Sequence, residues 1–304
     1  MKLAKELAPV DVAIIDCFYV AYRGYCVTPP LQSSSGMPTS AIHGFLGAVR
    51  KMVKELQPKT VIVATEGRTN LRDQMSSEYK EGRTLPEPFS RQIPMIYEMC
   101  KLFGWHLVER DGYEADDVIV SIGAKCKARN QRAVVFTTDK DIISRVSDDN
   151  GIIGVFKSEK GKAYVLEASD YTTQWGLHPC KIPEVLCLCG DSVDNVPGVS
   201  GIGEKTAIKL IQTYGSVEGV LANLDKIEPP RVKKLLSEEK GRESLKLSQQ
   251  LITLNDQLEL DSSLFTAGPQ QTELLREFFL KLDMVKTAES FKPVENLLIP
   301  IIPS

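Results

Sequence analysis

The 304 residues carry 42% hydrophobic and 25% charged side chains and a net charge of −3, the balance of an ordinary globular chain long enough for one large domain or two modest ones. Apolar runs fall far short of a membrane span, and the N-terminus lacks the apolar core of a signal peptide. Seven cysteines without a C-x-x-C pair, beside only three histidines, exclude a zinc site and point to a reduced, cytoplasmic compartment in which thiols serve as small hydrophobes.

In chain order, VDVAIID ends at Asp16, TVIVATE at Glu66, HLVERDGYEADD runs into Glu114, Asp116 and Asp117, and AVVFTTDKD ends at Asp139 and Asp141. Between them SAIHGFLGAVRKMVKEL, RQIPMIYEMCKLFG and DDVIVSIGAKCKARN have helical periodicity. Strands alternating with such helices predict an α/β fold with a twisted, mostly parallel sheet flanked by helices. Sites in such sheets form at the carboxyl ends of the strands, so the acidic ends are expected to converge. The stretch 67–92 is long and polar, is broken by Pro86 and Pro88, and carries Arg68, Arg72, Lys80, Arg83 and Arg91 around Tyr79. Such a connection is expected to be functional or mobile. From about residue 182 the pattern becomes helical and suggests a small subdomain. QTELLREFFLKL, 271–282, reads as an amphipathic helix that packs on a core, and the Pro-rich end, FKPVENLLIPIIPS, as irregular.

The motif GDSVDNVPGVSGIGEKTA adds Asp191 and Asp194 to the acidic set. Nine carboxylates without histidine or cysteine suit Mg²⁺ or Mn²⁺. If all nine line one site, the net −3 becomes +6 for the rest of the chain, and a polyanion is an acceptable partner. Two cations could clamp a phosphodiester and generate hydroxide. Gly198, Gly201 and Gly203 permit tight turns close to phosphates, ahead of a helix N-terminus bearing Lys205 and Lys209. Their G-x-x-G-x-G spacing, with no strand before it, is not the dinucleotide fingerprint. A phosphatase with an aspartate nucleophile would need a second aspartate that DCFYV lacks.

GYEADDV, TTDKD and GDSVDNVPGVSGIGEKTA, with IIDCFYVAYRGY, GMPTSAIHGF and SSEYKEGR, resemble the 5′-nuclease domain of bacterial DNA polymerase I and the stand-alone 5′–3′ exonucleases and flap endonucleases, over residues 10–255. The resemblance implies an α/β nuclease core over 1–180, with 67–92 as a helical arch. It implies a DNA-binding subdomain over 181–304, with a helix–hairpin–helix at about 182–213. It implies Asp16, Glu66, Glu114 and Asp116 on a first metal, with Glu66 where aspartate is usual. Asp139, Asp141, Asp191 and Asp194 would serve a second metal, and Asp117 either one. Tyr79 and Lys80 would act on an unpaired 5′ end, stacking and charge combining there, with Arg72 and Arg83 on phosphates. Backbone carbonyls of Val196, Val199 and Ile202 would hold K⁺. The implied activity is metal-dependent cleavage of DNA with 5′ ends, nicks or flaps, and of RNA primers, by a stand-alone, nucleoid-associated monomer working beside a separate polymerase. The alternative is a non-catalytic binder of branched DNA.

Overall fold

The computed structural model describes residues 1–81 and 84–291. The first half contains β1 (Lys2–Leu3), α1 (Ala4–Leu7), β2 (Val12–Asp16), α2 (Cys17–Val27), α3 (Ser40–Leu56), β3 (Thr60–Ala64), α4 (Leu71–Met75), α5 (Glu87–Ser90), α6 (Ile93–Leu102) and β4 (His106–Val108). There follow α7 (Ala115–Ala128), β5 (Arg132–Phe136), α8 (Lys140–Ile143), β6 (Gly151–Glu159), β7 (Lys162–Leu166) and α9 (Ala168–Trp175). The remainder comprises α10 (Ile182–Cys189), α11 (Glu204–Tyr214), α12 (Val217–Ala222), α13 (Pro230–Ser237), α14 (Glu239–Ile252), α15 (Thr272–Lys281) and α16 (Val285–Glu289).

The seven strands form one sheet in the order β1-β7-β6-β5-β2-β3-β4. The five strands from β6 to β4 are parallel, while β7 runs antiparallel to β6 and β1 antiparallel to β7. Ile14 lies opposite both Ile62 and Val135, which puts β2 at the centre. Its residues alternate between the two faces. Ala13 and Ile15 join a core with α3, α6 and α15, and Val12 and Ile14 join one with α7. Burial on both faces explains why these strands read as unbroken apolar runs. The sequence expectations omit the β6–β7 hairpin. Its signal is the two-residue loop Lys160-Gly161, with φ of 46° and 81°, the backbone of a type I′ turn that suits the twist of paired strands.

Residues after 181 do not form one helical unit. Apolar side chains of α10 to α14 make their own core, from Ile182 to Ile252. Leu258 and Phe265 then pack back on the sheet beside α7. On the opposite face, α15 buries Leu275, Phe278 and Phe279 against the core of α3 and α6, and Phe279 stacks on Phe291. The expected 181–304 unit is corrected accordingly: the apolar stripe of α15 is complementary to the sheet layer rather than to the hairpin helices. Most of the Pro-rich end lies outside the described residues.

Candidate metal centre

Asp16 closes β2 and caps α2. Its Oδ1 accepts the Tyr19 backbone N–H at 3.1 Å, and its Oδ2 accepts the Thr137 hydroxyl at 2.8 Å. Thr137 follows β5, and Asp139 caps α8 by accepting the Asp141 N–H at 2.8 Å. Asp191, in the connection between α10 and α11, accepts the Val193 N–H at 2.7 Å. Asp16, Asp139, Asp141, Asp191 and Asp194 together line one open cleft of about 270 Å³, with Tyr19 and Lys140 on its walls. Two strand ends and one hairpin therefore supply five of the nine carboxylates.

Glu66, Glu114 and Asp116 act on this group from β3 and α7. Glu66 keeps solvent access, and its Oε2 accepts the Ala115 N–H at 3.1 Å, at the start of α7. Burial pushes Asp16 up to about 6. Burial, with Asp139 adding repulsion, pushes Asp141 up to about 7. Glu66, whose side chain still reaches solvent, rises to about 7 through partial desolvation at the cleft, with Glu114 and Asp16 contributing, and Asp116 rises well above the ordinary range through burial and Asp139.

Asp117 is different in kind and is corrected as a ligand. It is 0% exposed. Its Oδ1 accepts Arg72 Nη2 at 2.8 Å and the Asn255 N–H at 2.8 Å, and its Oδ2 accepts Arg72 Nη1 at 2.6 Å and the Glu114 N–H at 3.2 Å. Burial opposes its charge, but the Arg72 hydrogen bonds hold it below the ordinary carboxylate range. Four donors leave no site for a cation. Arg72 is corrected as a phosphate contact for the same reason. It is 6% exposed, and its remaining N–H groups go to the Leu251 carbonyl (2.9 Å), the Thr253 carbonyl (3.0 Å) and Glu114 Oε2 (3.0 Å). All five guanidinium donors are used, so Arg72 rivets α4 to the start of α7 and to the end of α14.

Tyr79 is also corrected. It is 7% exposed, packs in the α10–α14 core, and donates its hydroxyl to Glu114 Oε2 at 3.0 Å rather than standing open to a base. Lys80 Nζ lies 2.5 Å from Glu114 Oε1 and 3.9 Å from Asp194 Oδ2. Burial works against its charge, but Asp116 and Glu114 more than offset that and hold the ammonium protonated. Its backbone has a left-handed φ of 51°, fixed by an N–H bond to the Asp194 carbonyl at 3.2 Å, as is typical of a constrained position at a site. With Asn70 donating to Glu114 at 3.1 Å, Glu114 receives four donors and can serve a cation only when Lys80 or Tyr79 withdraws. Among the described residues the stretch 67–92 contains only the short α4 and α5, and Arg83 lies outside those residues.

Among the described residues no three carboxylates are drawn together as tightly as in a filled metal site; cations of the chain stand between them. The donor set nevertheless fits a hard divalent ion. The ligands are all oxygens, and Asp141 Oδ1 is buried without a hydrogen-bond partner, which is costly unless something else pairs it. A pH dependence follows. Asp16, Asp141 and Glu66 have folded-state values of about 6, 7 and 7 against 3.8, 3.8 and 4.5 for the free groups. The folded state therefore holds protons that the unfolded state has released, and metal-free stability falls as pH rises from about 4 to 7. In thermal melts, Mg²⁺ is expected to raise Tm over EDTA more at pH 8 than at pH 5. An equal rise at both would contradict this assignment.

The connection from α10 to α11 is pinned by the paired Asp191 and Val196. Gly198 is corrected as a point of phosphate approach. A Cβ there would stand 2.2 Å from the Gly190 nitrogen, so the missing side chain is used inside the turn. Gly201 and Gly203 are exposed, as are Lys205 and Lys209 on α11. The Val196 and Val199 carbonyls each accept a backbone N–H, from Asp191 at 3.0 Å and Ile202 at 2.9 Å. Sequence reasoning missed Asn70, Thr137 and Tyr19, which orient the carboxylates. Thr137 lies inside TTDKD and Tyr19 inside IIDCFYVAYRGY, whereas Asn70 lies in no such motif.

A family described as "5′-3′ exonuclease, N-terminal resolvase-like domain" matches residues 11–176, and one described as "5′-3′ exonuclease, C-terminal SAM fold" matches 177–273. A 5′-3′ exonuclease of Aquifex aeolicus is 37% identical over 82% of this chain and 83% of its own length. The thermostable DNA polymerase I of Thermus aquaticus is 33% identical over 94% of this chain, which spans only 33% of that polymerase. Among solved structures, T5 5′-exonuclease with bound divalent metal ions (zinc) superimposes with a TM-score of 0.65 at 20% identity, covering 91% of this chain and 99% of that one. The catalytic core of Rad2 with DNA substrate superimposes with a TM-score of 0.63 at 15% identity, covering 95% and 93%. At such identities the two structures speak to the fold.

Proposed function

The chain belongs to the 5′–3′ exonuclease family, and from that premise we propose that it hydrolyses phosphodiesters at the 5′ ends, nicks and flaps of DNA, with Mg²⁺ or Mn²⁺ in the carboxylate cleft. The observation that carries this reading is the meeting of Asp16, Asp139, Asp141, Asp191 and Asp194 in one cleft, the last two on the hairpin that leads into the lysines of α11. Asp16, Asp116 and Glu66, with Glu114, would hold one cation, and Asp139, Asp141, Asp191 and Asp194 the other. When bound, such cations supply a hydroxide nucleophile and neutralise charge that develops on the phosphate.

The chain's own groups do the rest. Lys205 and Lys209 hold the duplex by its backbone, which gives binding specific for structure rather than sequence. Lys80, on a flexible four-carbon stem, can leave Glu114 for a phosphate. One lone pair remains on each of the Val196 and Val199 carbonyls, which with Ile202 would accept K⁺. RNA primers are substrates on the same grounds, since no base is read. No helix among the described residues is long and apolar enough to cross a membrane.

The test is a flap duplex labelled at its 5′ end, incubated with Mg²⁺ or with EDTA. Short labelled products in Mg²⁺ alone are expected. Tight binding without cleavage in either would favour a non-catalytic binder of branched DNA.

A further inference from the structure

Lys140 lies between two cleft carboxylates in sequence, yet it joins neither. Among the described residues its ammonium has no ion pair, although Asp139 and Asp141 flank it. It lines the cleft beside them without closing to ion-pair distance on either. It is exposed and stands on the ridge between two hollows. One is the carboxylate cleft. The other, of about 290 Å³, is walled by Trp175, Ile182, Leu186 and Ile208 and edged by Lys205. Lys205 is likewise exposed and without an ion pair among the described residues. Two ammoniums without ion pairs among the described residues, one at the cleft and one on the hairpin helix, edge the same hollow, to which Glu204 adds one carboxylate.

We propose that Lys140 is a phosphate-positioning residue, holding the DNA backbone between the cleft and α11 so that the phosphate entering the cleft is set at a fixed number of nucleotides from the one gripped by Lys205. The proposal rests on the nuclease reading above and adds a residue that sets the register of cleavage.

The experiment uses the full chain and flap DNA. Binding is measured against salt in Ca²⁺, and cleavage position in Mg²⁺, for the wild type, Lys140→Ala, Lys140→Arg and Lys140→Ala with Lys205→Ala. Each phosphate contact contributes about 0.9 to the slope of log affinity against log salt. Lys140→Ala is expected to reduce the slope by about 1 and to spread the single cleavage site over neighbouring positions. The double variant is expected to reduce it by about 2, and Lys140→Arg to restore both slope and site. An unchanged slope and unchanged site in Lys140→Ala would overturn the proposal, as would a slower rate at an unshifted site that arginine does not rescue. Failure of the wild type to bind or cut the flap would instead overturn the nuclease reading, and the proposal with it.

Discussion

Asp141→Ala is expected to lower the rate of flap cleavage in Mg²⁺ by about 10²–10³-fold, the scale of losing a group that stabilises charge in the transition state. Affinity for the flap in Ca²⁺ is expected to hold or to tighten. Asp141 shares its cleft with Asp139, Asp191 and Asp194, so removing it lessens repulsion of a phosphate. Misfolding is separable from this effect. Burial, with Asp139 beside it, pushes Asp141 up to about 7, so its charged form opposes folding when no cation is present, and the variant is expected to melt in EDTA at pH 8 no lower than the wild type. A near-normal rate would remove Asp141 from the metal centre, and a parallel fall in rate and affinity would make it a docking residue.

Arg72→Met is expected to cost about 3–5 kcal/mol, the usual penalty for stranding a buried charge, and to lower Tm by roughly 10 °C. Asp117 and Glu114, at 0% and 3% exposure, would lose their bridging cation, and the Leu251 and Thr253 carbonyls would lose their donors. Adding Asp117→Leu is expected to recover part of the loss, because an apolar pair replaces a broken ionic one. A variant that keeps its Tm but loses affinity for DNA would return Arg72 to the phosphate-contacting role that the family resemblance implies.

The contrast between Asp117 and Asp141 marks how far the sequence could be read. Both follow strand-like runs and sit among other acids, and local pattern gives them the same standing. What separates them is Arg72, 45 residues before Asp117, and carbonyls at 251 and 253 that complete the guanidinium's bonds. Such closure is a property of tertiary contact, invisible to spacing. The placement of Tyr79 is hidden for a related reason: a polar, proline-broken stretch gives no hint that its aromatic side chain will find the apolar core of α10–α14. The parallel strands were legible because burial on both faces writes itself as continuous Val and Ile. The convergence of Asp16 and Asp139 followed from parallel topology; that of Asp191 and Asp194, on a connection between two helices, did not. The β6–β7 hairpin carried its own local signal in Lys160-Gly161. The return of α15 to the sheet did not, since an amphipathic stripe states that a helix packs, and not on what.

The most direct test of the account is the number of divalent cations held by the cleft. Mn²⁺ titration of the full chain at pH 8, with free Mn²⁺ followed by its paramagnetic resonance signal, is expected to give about two bound ions per chain, and about one fewer in Asp141→Ala. Failure to bind Mn²⁺, or a count that Asp141→Ala leaves unchanged, would contradict it.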